Sequence, residues 1–126
     1  MRIWKYGFIT ALLLLPFSLA AETPPASPVG FPAFFAKFQV ALAKNDGESL
    51  AAMTQLPFPY DEGKLGKADY LKNLGKIFPA KTKACFAKAK RVKGQMGEYS
   101  VFCGEEIYLF QKNGADFQFT EIGAND

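Results

Sequence analysis

The apolar positions of this chain follow a helical period in its first part and a two-residue period in its last part. From position 31, large apolar side chains recur every three or four residues: Phe31, Phe34, Phe35, Phe38 and Leu42. This spacing predicts an amphipathic helix over Phe31–Lys44. Asp46 followed by Ser49 is typical of a helix N-cap and predicts a shorter second helix that runs through Met53.

A third helix is predicted over residues 67–78, where apolar residues again share one face: Tyr70, Leu71, Leu74, Ile77 and Phe78. Pro79 ends this helix, because proline cannot continue the hydrogen-bond ladder. Upstream of it, Pro57 and Pro59 favour extended backbone in the residues before them, so this segment is not helical.

From Thr82 onward the alternation of apolar and polar residues predicts three strands, over residues 83–92, 98–112 and 115–122. Asn113 and Gly114 indicate a tight hairpin turn between the last two strands, because both residue types tolerate positive φ. A second turn is predicted over residues 94–97. The sequence therefore predicts a single α+β domain in which N-terminal helices pack on an antiparallel sheet.

Cys85 and Cys103 are the two cysteines of the chain. If the first two strands fold back around Gly94, the two residues face each other across the hairpin, which predicts a disulfide. The bond would contribute about 3 kcal/mol in the chain-entropy treatment. A redox-active pair is the weaker interpretation, because the spacing is not Cys-x-x-Cys.

If the last two strands fold back around Asn113 and Gly114, three pairs of residues lie opposite each other: Phe110 with Phe117, Tyr108 with Phe119, and Glu106 with Glu121. One face of the sheet is then strongly aromatic and must be covered by the helices. The predicted aromatic positions lining the space between helices and sheet are Phe35, Phe38, Tyr70, Phe78, Phe102, Tyr108, Phe110 and Phe119.

Glu106 and Glu121 stand out on that face, since two opposed carboxylates repel and form a candidate acid/base pair. Tyr108 is the candidate hydrogen-bond donor beside them. Three other interpretations stay open: this end of the face meets solvent, a lysine neutralises the pair, or a bulge near Gly104 turns Glu106 away. Tyr60, Asp61 and Glu62 in the loop between the helices, with Tyr70 on the third helix, are candidates for the rim of a pocket. A solvated turn is the favoured interpretation for Asp61 and Glu62, and packing is the favoured one for Tyr60.

Residues 1–20 have the pattern of a secretory signal peptide, with basic Arg2 and Lys5, an apolar run and a small-residue end at Ala20. An uncleaved anchor helix is the alternative, but the run is short for a bilayer and Pro16 interrupts it. Residues 21–30 are proline-rich and predict a tether, which leaves residues 31–126 as the domain. We therefore expect a periplasmic or secreted protein without a membrane partner after cleavage.

The composition limits the chemistry further. The chain has no histidine, which excludes Ser-His and Cys-His nucleophiles and histidine-ligated metals, and we expect no metal or cofactor. The formal net charge of +3 falls to about +1 when the leader, with Arg2 and Lys5, is removed. Because nucleic-acid binding depends on a strong positive charge, no nucleic-acid partner is expected. Six cations do cluster, and they favour a solvated strand face over a polyanion patch: Lys81, Lys83, Lys88, Lys90, Arg91 and Lys93.

The order of these elements resembles the nuclear-transport-factor-2-like superfamily, whose members pack helices into a cone-shaped, strongly curved antiparallel sheet. The resemblance is carried by the opening helix, the Asn45-Asp46 break, the third helix and the closing strands around residues 107–119. It implies a pocket inside the cone, and homodimer formation through the outer sheet face, where Val101, Ile107 and Leu109 are predicted.

Two functions follow from the residues and the resemblance together. The first is an exported, non-catalytic binding or interaction module, whose cone either holds a small apolar or aromatic ligand or is packed shut by its own side chains. The alternative is an acid/base isomerase or lyase in which Glu106 or Glu121 moves a proton and Tyr108 stabilises an oxyanion. The ketosteroid isomerase-like members of the family make the second function reasonable, although they usually place Asp, His or Tyr in the cone.

Overall fold

The structure is a computed structural model that describes residues 30–124. The predicted leader and nearly all of the predicted tether lie outside the described residues. Within them, five helices and six strands form one α+β domain, with the helices packed against a four-stranded antiparallel sheet. None of the helices in residues 30–124 is long and apolar enough to cross a membrane.

The first two helices have the predicted positions. Helix α1 spans Phe31–Lys44 and ends at Asn45 in the left-handed conformation (φ 56°). Helix α2 spans Gly47–Ala52 and begins at Asp46, whose side chain accepts a hydrogen bond from the Ser49 backbone N–H, as the sequence predicts. A hydrogen bond from the Ser49 hydroxyl (2.7 Å), together with the one from its backbone N–H, holds the pKa of Asp46 below its usual value.

A short hairpin follows, in which β1 (Phe58–Tyr60) pairs with β2 (Gly63–Leu65). The predicted third helix is divided into α3 (Lys67–Lys72) and α4 (Leu74–Ile77). Asn73 separates them, because its side-chain amide donates to the carbonyl of Asp69 at 2.8 Å and its own N–H bonds to the same turn. The side chain thus competes with continuation of the helix.

The predicted strand over residues 83–92 is wrong, because most of it forms helix α5 (Ala80–Lys88). Alanine and lysine are good helix formers and poor strand formers. Their alternation has the two-residue period of a strand, although the segment is helical. The buried residues of this segment, Thr82 and Phe86, are four apart, which is the helical spacing. Strand β3 covers only Arg91–Lys93.

The predicted strand over residues 98–112 is also divided, into β4 (Tyr99–Cys103) and β5 (Glu106–Asn113), and β6 spans Asp116–Ala124. Gly104, at φ 67°, and Glu105 make a tight turn between β4 and β5. This glycine supports the turn because positive φ is strained for most other residues. The four strands are hydrogen-bonded in the order β3-β4-β5-β6, and a strongly curled sheet was not found in the described residues.

The extra turn reverses the faces of β4. In one continuous strand Phe102 would share a face with Tyr108, but the observed register pairs Val101 with Tyr108 instead. Val101 is therefore buried, and Phe102 is 46 % exposed on the outer face, the reverse of the prediction. A shift of one residue moves a whole strand to the other face.

The predicted pairs of the last hairpin are wrong as well. Phe110 pairs with Phe119, Tyr108 with Ile122, Glu106 with Ala124, and Glu121 with Leu109. Two features cause the difference: the hairpin closes on Asn113 and Asp116, and a bulge between Leu109 and Phe110 shifts the register again. The two glutamates consequently do not face each other.

The disulfide between Cys85 and Cys103 is present, as predicted, with its Cα atoms 5.8 Å apart. Its setting differs from the prediction, because Cys85 lies on α5 and Cys103 at the end of β4. The bond therefore joins a helix to the sheet, and Cys85 and Cys103 do not face each other across a strand pair. Instead, β4 pairs with β3, where Val92 lies opposite Ser100.

Candidate functional site

The aromatic interior between α1 and the sheet is filled by its own rings. Seven of the eight predicted ligand-binding residues are at most 1 % exposed: Phe35, Phe38, Tyr70, Phe78, Tyr108, Phe110 and Phe119. At the centre, the Phe38 ring lies 5.1 Å from that of Phe110 and 5.8 Å from that of Phe119, both edge-on. These are the distances of close aromatic packing. The eighth residue, Phe102, lies on the opposite face of the sheet.

An open cleft of about 1040 Å³ lies at one end of the sheet. Three parts of the chain build its walls: the tip of the β1–β2 hairpin, the start of α5, and the turn between β4 and β5 together with the end of β6. The residues lining it are Pro59, Tyr60, Asp61, Pro79, Lys81, Thr82, Cys85, Cys103, Gly104, Glu105, Glu106, Glu121, Ile122, Gly123 and Ala124. Both sequence-predicted glutamates therefore border the same space.

Tyr108 lies directly beneath this cleft. Its ring is buried against Phe78 and Phe86, and its hydroxyl lies 2.9 Å from the Ile77 carbonyl oxygen and 3.2 Å from the Thr82 hydroxyl. A carboxylate oxygen of Glu106 lies 3.0 Å from the same hydroxyl. Glu106 thus bridges a buried hydroxyl and the open cleft.

The single proton of Tyr108 has two partners that only accept, the Ile77 carbonyl and the Glu106 carboxylate. When the tyrosine donates to one of them, the other must take its hydrogen bond from elsewhere. Thr82 is able to donate to the Tyr108 oxygen, which completes the remaining capacity of that atom. The arrangement holds Glu106 at the cleft wall and leaves its second oxygen for solvent or a ligand.

The tyrosines of this region stay protonated at neutral pH. Burial raises the pKa of Tyr108, and the nearby Glu106 carboxylate raises it further, against the opposing effect of the Thr82 hydrogen bond. Partial burial likewise raises the pKa of Tyr60, with smaller contributions from the charges of Asp61 and Glu106. Both phenols are therefore hydrogen-bond donors rather than bases.

The charges around the cleft are mostly negative. Four carboxylates border it, from Asp61, Glu105, Glu106 and Glu121, against the single cation of Lys81. Within residues 30–124, no group of three or more acidic, cysteine or histidine side chains is arranged to hold a metal ion. The lining thus favours neutral or positively charged organic groups over anions.

Tyr70 is placed away from this site. Its hydroxyl lies 2.7 Å from the Thr54 hydroxyl, which in turn donates to the Leu50 carbonyl at 2.6 Å. Because the Thr54 proton is used in that bond, Tyr70 donates to Thr54, and all three groups are satisfied. This buried chain of hydrogen bonds ties α2 to α3, and it accounts for Tyr70 without a ligand.

Several cleft residues were not among the predicted site residues, in particular Lys81, Thr82, Gly104 and Glu105. The helical form of residues 80–88 brings the first two to the cleft, and the Gly104 turn brings the others. The predicted disulfide was the sequence signal from which these cleft residues could have been found, because it joins α5 to the end of β4 and so places the two walls of the cleft beside each other.

Comparisons with known proteins give no relative. No protein-family model matches this chain, no curated protein matches it, and no solved structure matches it.

Proposed function

We propose that this protein is a small exported binding module that takes its ligand in the end cleft and not in the aromatic interior. The observation that carries the proposal is the contrast between the two spaces: the interior rings are in mutual contact, while the cleft is open and bordered by polar groups. A cleft of about 1040 Å³ is at the upper end of the range typical of small-molecule sites.

The chemistry of the lining narrows the ligand. Tyr60 offers a protonated hydroxyl, Glu106 and Glu121 offer acceptors, and Ile122 gives an apolar surface. A neutral or cationic molecule with hydrogen-bond donors, such as an amine carried on a small apolar body, fits these groups better than an anion. This differs from the purely apolar or aromatic ligand that the sequence predicts.

The disulfide supports export and the stability of the site together. It is consistent with an oxidising compartment, where such bonds persist. It also joins the two walls of the cleft, so the site keeps its shape without a ligand. The family resemblance and the periplasmic or secreted location remain part of the proposal.

An acid/base isomerase or lyase is the second candidate. It is favoured by one observation, the 3.0 Å contact between Tyr108 and Glu106 at the edge of a cleft that Glu121 also lines. Against it, the Tyr108 ring is fully buried and its hydroxyl is already engaged by protein groups. Proton abstraction would be detected as solvent-deuterium exchange into ketones with acidic α-protons, and loss of that exchange in Glu106→Gln would support catalysis.

The binding proposal is tested by a fragment library that contains amines, neutral amides and carboxylic acids, screened by amide chemical shifts in NMR. We expect hits among amines and amides, with shifts at the ends of the cleft-forming elements. Glu106→Gln and Glu121→Gln should each weaken the amine hits about tenfold or more, since a hydrogen bond to a charged group contributes about 1.5–3 kcal/mol. The matched control is Glu62→Gln with Asp116→Asn, two exposed acids outside the cleft lining.

Two results would count against the proposal. Shifts centred on Phe38 and Phe110 would place the ligand in the interior, and equal weakening by the control pair would show only an effect of net charge.

The homodimer remains a proposal with a revised surface. Val101 is buried under the helices, so it does not belong to the outer sheet face as the sequence predicts. That face instead carries Ile107 and Leu109, both partly exposed, with the more exposed Phe102 and Val92.

A further inference from the structure

One continuous stretch of the chain is exclusively basic. Between Tyr70 and Gly97 lie eight lysine or arginine residues and no aspartate or glutamate. Seven of the eight are exposed, and Lys83 is half-buried with its ammonium group on the Asn45 side chain. The single salt bridge within residues 30–124, between Lys67 and Glu48, lies outside this stretch. None of these eight cations therefore forms a salt bridge within residues 30–124.

The basic stretch ends in a projecting apolar tip. Lys90, Arg91 and Lys93 lead along the edge strand β3 into the turn that joins it to β4. At that turn Met96 is 92 % exposed, and Val92 on the adjoining strand is 50 % exposed. A methionine so fully in water gains nothing from the fold, since its apolar surface is not buried.

The turn itself is held in a fixed shape. The N–H of Gly94 donates to the Glu98 carbonyl at 2.7 Å, and the Glu98 carboxylate accepts from the N–H of Met96 at 3.0 Å. The nearest acidic group is thus used by the backbone of the turn. Met96 is therefore presented on a hydrogen-bonded turn that directly follows the basic stretch in the chain.

From these observations we propose a second surface, separate from the cleft, that binds the protein peripherally to anionic phospholipid membranes. Lysines 88, 90 and 93 would lie against the lipid phosphates, while Met96 enters the interface. Basic side chains beside an exposed apolar tip meet the two requirements of interfacial binding, attraction to anionic headgroups and burial of apolar area.

The tip is better suited to lipid than to nucleic acid. Single-stranded nucleic acids are bound on exposed aromatic rings, and the only aromatic residues within positions 71–97, Phe78 and Phe86, are buried to 1 % exposure. A soluble polyanion would bind the lysines but would not bury the apolar side chain of Met96. The methionine is therefore the residue that distinguishes a membrane from other anionic partners.

The experiment is flotation of the full chain, expressed with its leader so that the exported product is tested, with phosphatidylcholine vesicles that contain or lack phosphatidylglycerol. We expect binding only to the anionic vesicles, with release at high salt. Replacing Lys88, Lys90 and Lys93 by Gln should lower the partition coefficient roughly 100-fold, at about 1 kcal/mol per lysine. Arg91 is left unchanged because its guanidinium lies over the Phe35 ring.

Met96→Ser tests insertion of the tip and should lower partition about tenfold, because it removes part of the apolar area that the membrane would bury. The control variant replaces Lys37, Lys64 and Lys112, three exposed lysines outside the basic stretch, and should leave binding nearly unchanged. Circular dichroism of each variant confirms that the fold is kept.

Three results would overturn the proposal. They are equal binding to vesicles without phosphatidylglycerol, equal loss in the control variant, and an unchanged partition of Met96→Ser, which would indicate a general polyanion surface.

Discussion

Removal of the Cys85–Cys103 disulfide is expected to lower the free energy of unfolding by about 3 kcal/mol. The bond connects α5 to β4, which are separated along the chain by a turn, the edge strand β3 and a second turn. When the bond is absent, the unfolded chain gains the freedom of this loop, whereas the folded chain keeps its packing. Phe86, next to Cys85, stays buried among other rings in either case.

The magnitude follows from the loop length. The two cysteines are 18 positions apart, and the chain-entropy relation gives about 3 kcal/mol at 25 °C for a loop of this size. This is a large share of the 5–15 kcal/mol that is typical of small domains. Alanine is the suitable replacement, because Cys103 is 8 % exposed and a serine hydroxyl there would need a partner.

The assay is equilibrium unfolding in urea, with the oxidised protein compared with Cys85→Ala/Cys103→Ala. The reduced wild-type protein is the matched control, since it lacks the crosslink but keeps both sulfur atoms, and we expect it to lose about as much stability. A loss below about 1 kcal/mol in both forms would refute the reasoning. A large loss in the alanine variant alone would assign the effect to packing of the side chains.

Three further predictions concern the core, the buried hydroxyl and pH. Phe38→Ala should cost about 3–5 kcal/mol in urea unfolding, because its fully buried ring packs against five others. Phe102→Ala on the outer face should cost less than about 1 kcal/mol, and similar losses in the two variants would contradict a packed interior. Tyr108→Phe should lower the free energy of unfolding by about 1–3 kcal/mol, since Ile77, Thr82 and Glu106 lose a shared hydrogen-bond partner. Tyr99→Phe is the control, and an equal loss of stability in both variants would show that the buried hydroxyl has no special role. Burial raises the pKa of Tyr70 and Tyr108 in the folded protein, so folding favours their protonated form. The resulting contribution to the free energy of unfolding is complete below the unfolded tyrosine pKa of about 10. It is lost as the pH rises through the pKa values of the folded protein. Urea midpoints measured as the pH is raised from neutral should therefore fall above about pH 10, and the decline should be smaller in the double variant Tyr70→Phe/Tyr108→Phe; identical declines would contradict the assignment.

The N-terminal helices were readable from the sequence because their signals are local. The phenylalanines of α1 repeat at helical spacing, and Asp46 with Ser49 gives the N-cap of α2, so both elements need no knowledge of the rest of the chain. The disulfide was also predicted correctly, although the strand expected to carry Cys85 is helix α5. Two cysteines in a chain with a predicted leader indicate a bond whichever elements carry them.

The sheet was less predictable because each error in a strand changes the faces of the next. Residues 80–88 alternate lysine and small residues, and only the pair Thr82 and Phe86 reveals a helix. The turn at Gly104 then exchanged Val101 with Phe102, and the closure of the last hairpin on Asn113 and Asp116, together with the bulge after Leu109, separated Glu106 from Glu121. The bulge depends on contacts across the sheet that a linear pattern does not contain.

The central claim is that ligands bind in the end cleft and not among the phenylalanines. The most direct test is a crystal structure of the oxidised protein soaked with the amine and amide fragments that bind in solution. The account predicts density in contact with Tyr60, Glu106 or Glu121, with the rings around Phe38 unchanged. Density between α1 and the sheet, with those rings displaced, would contradict it.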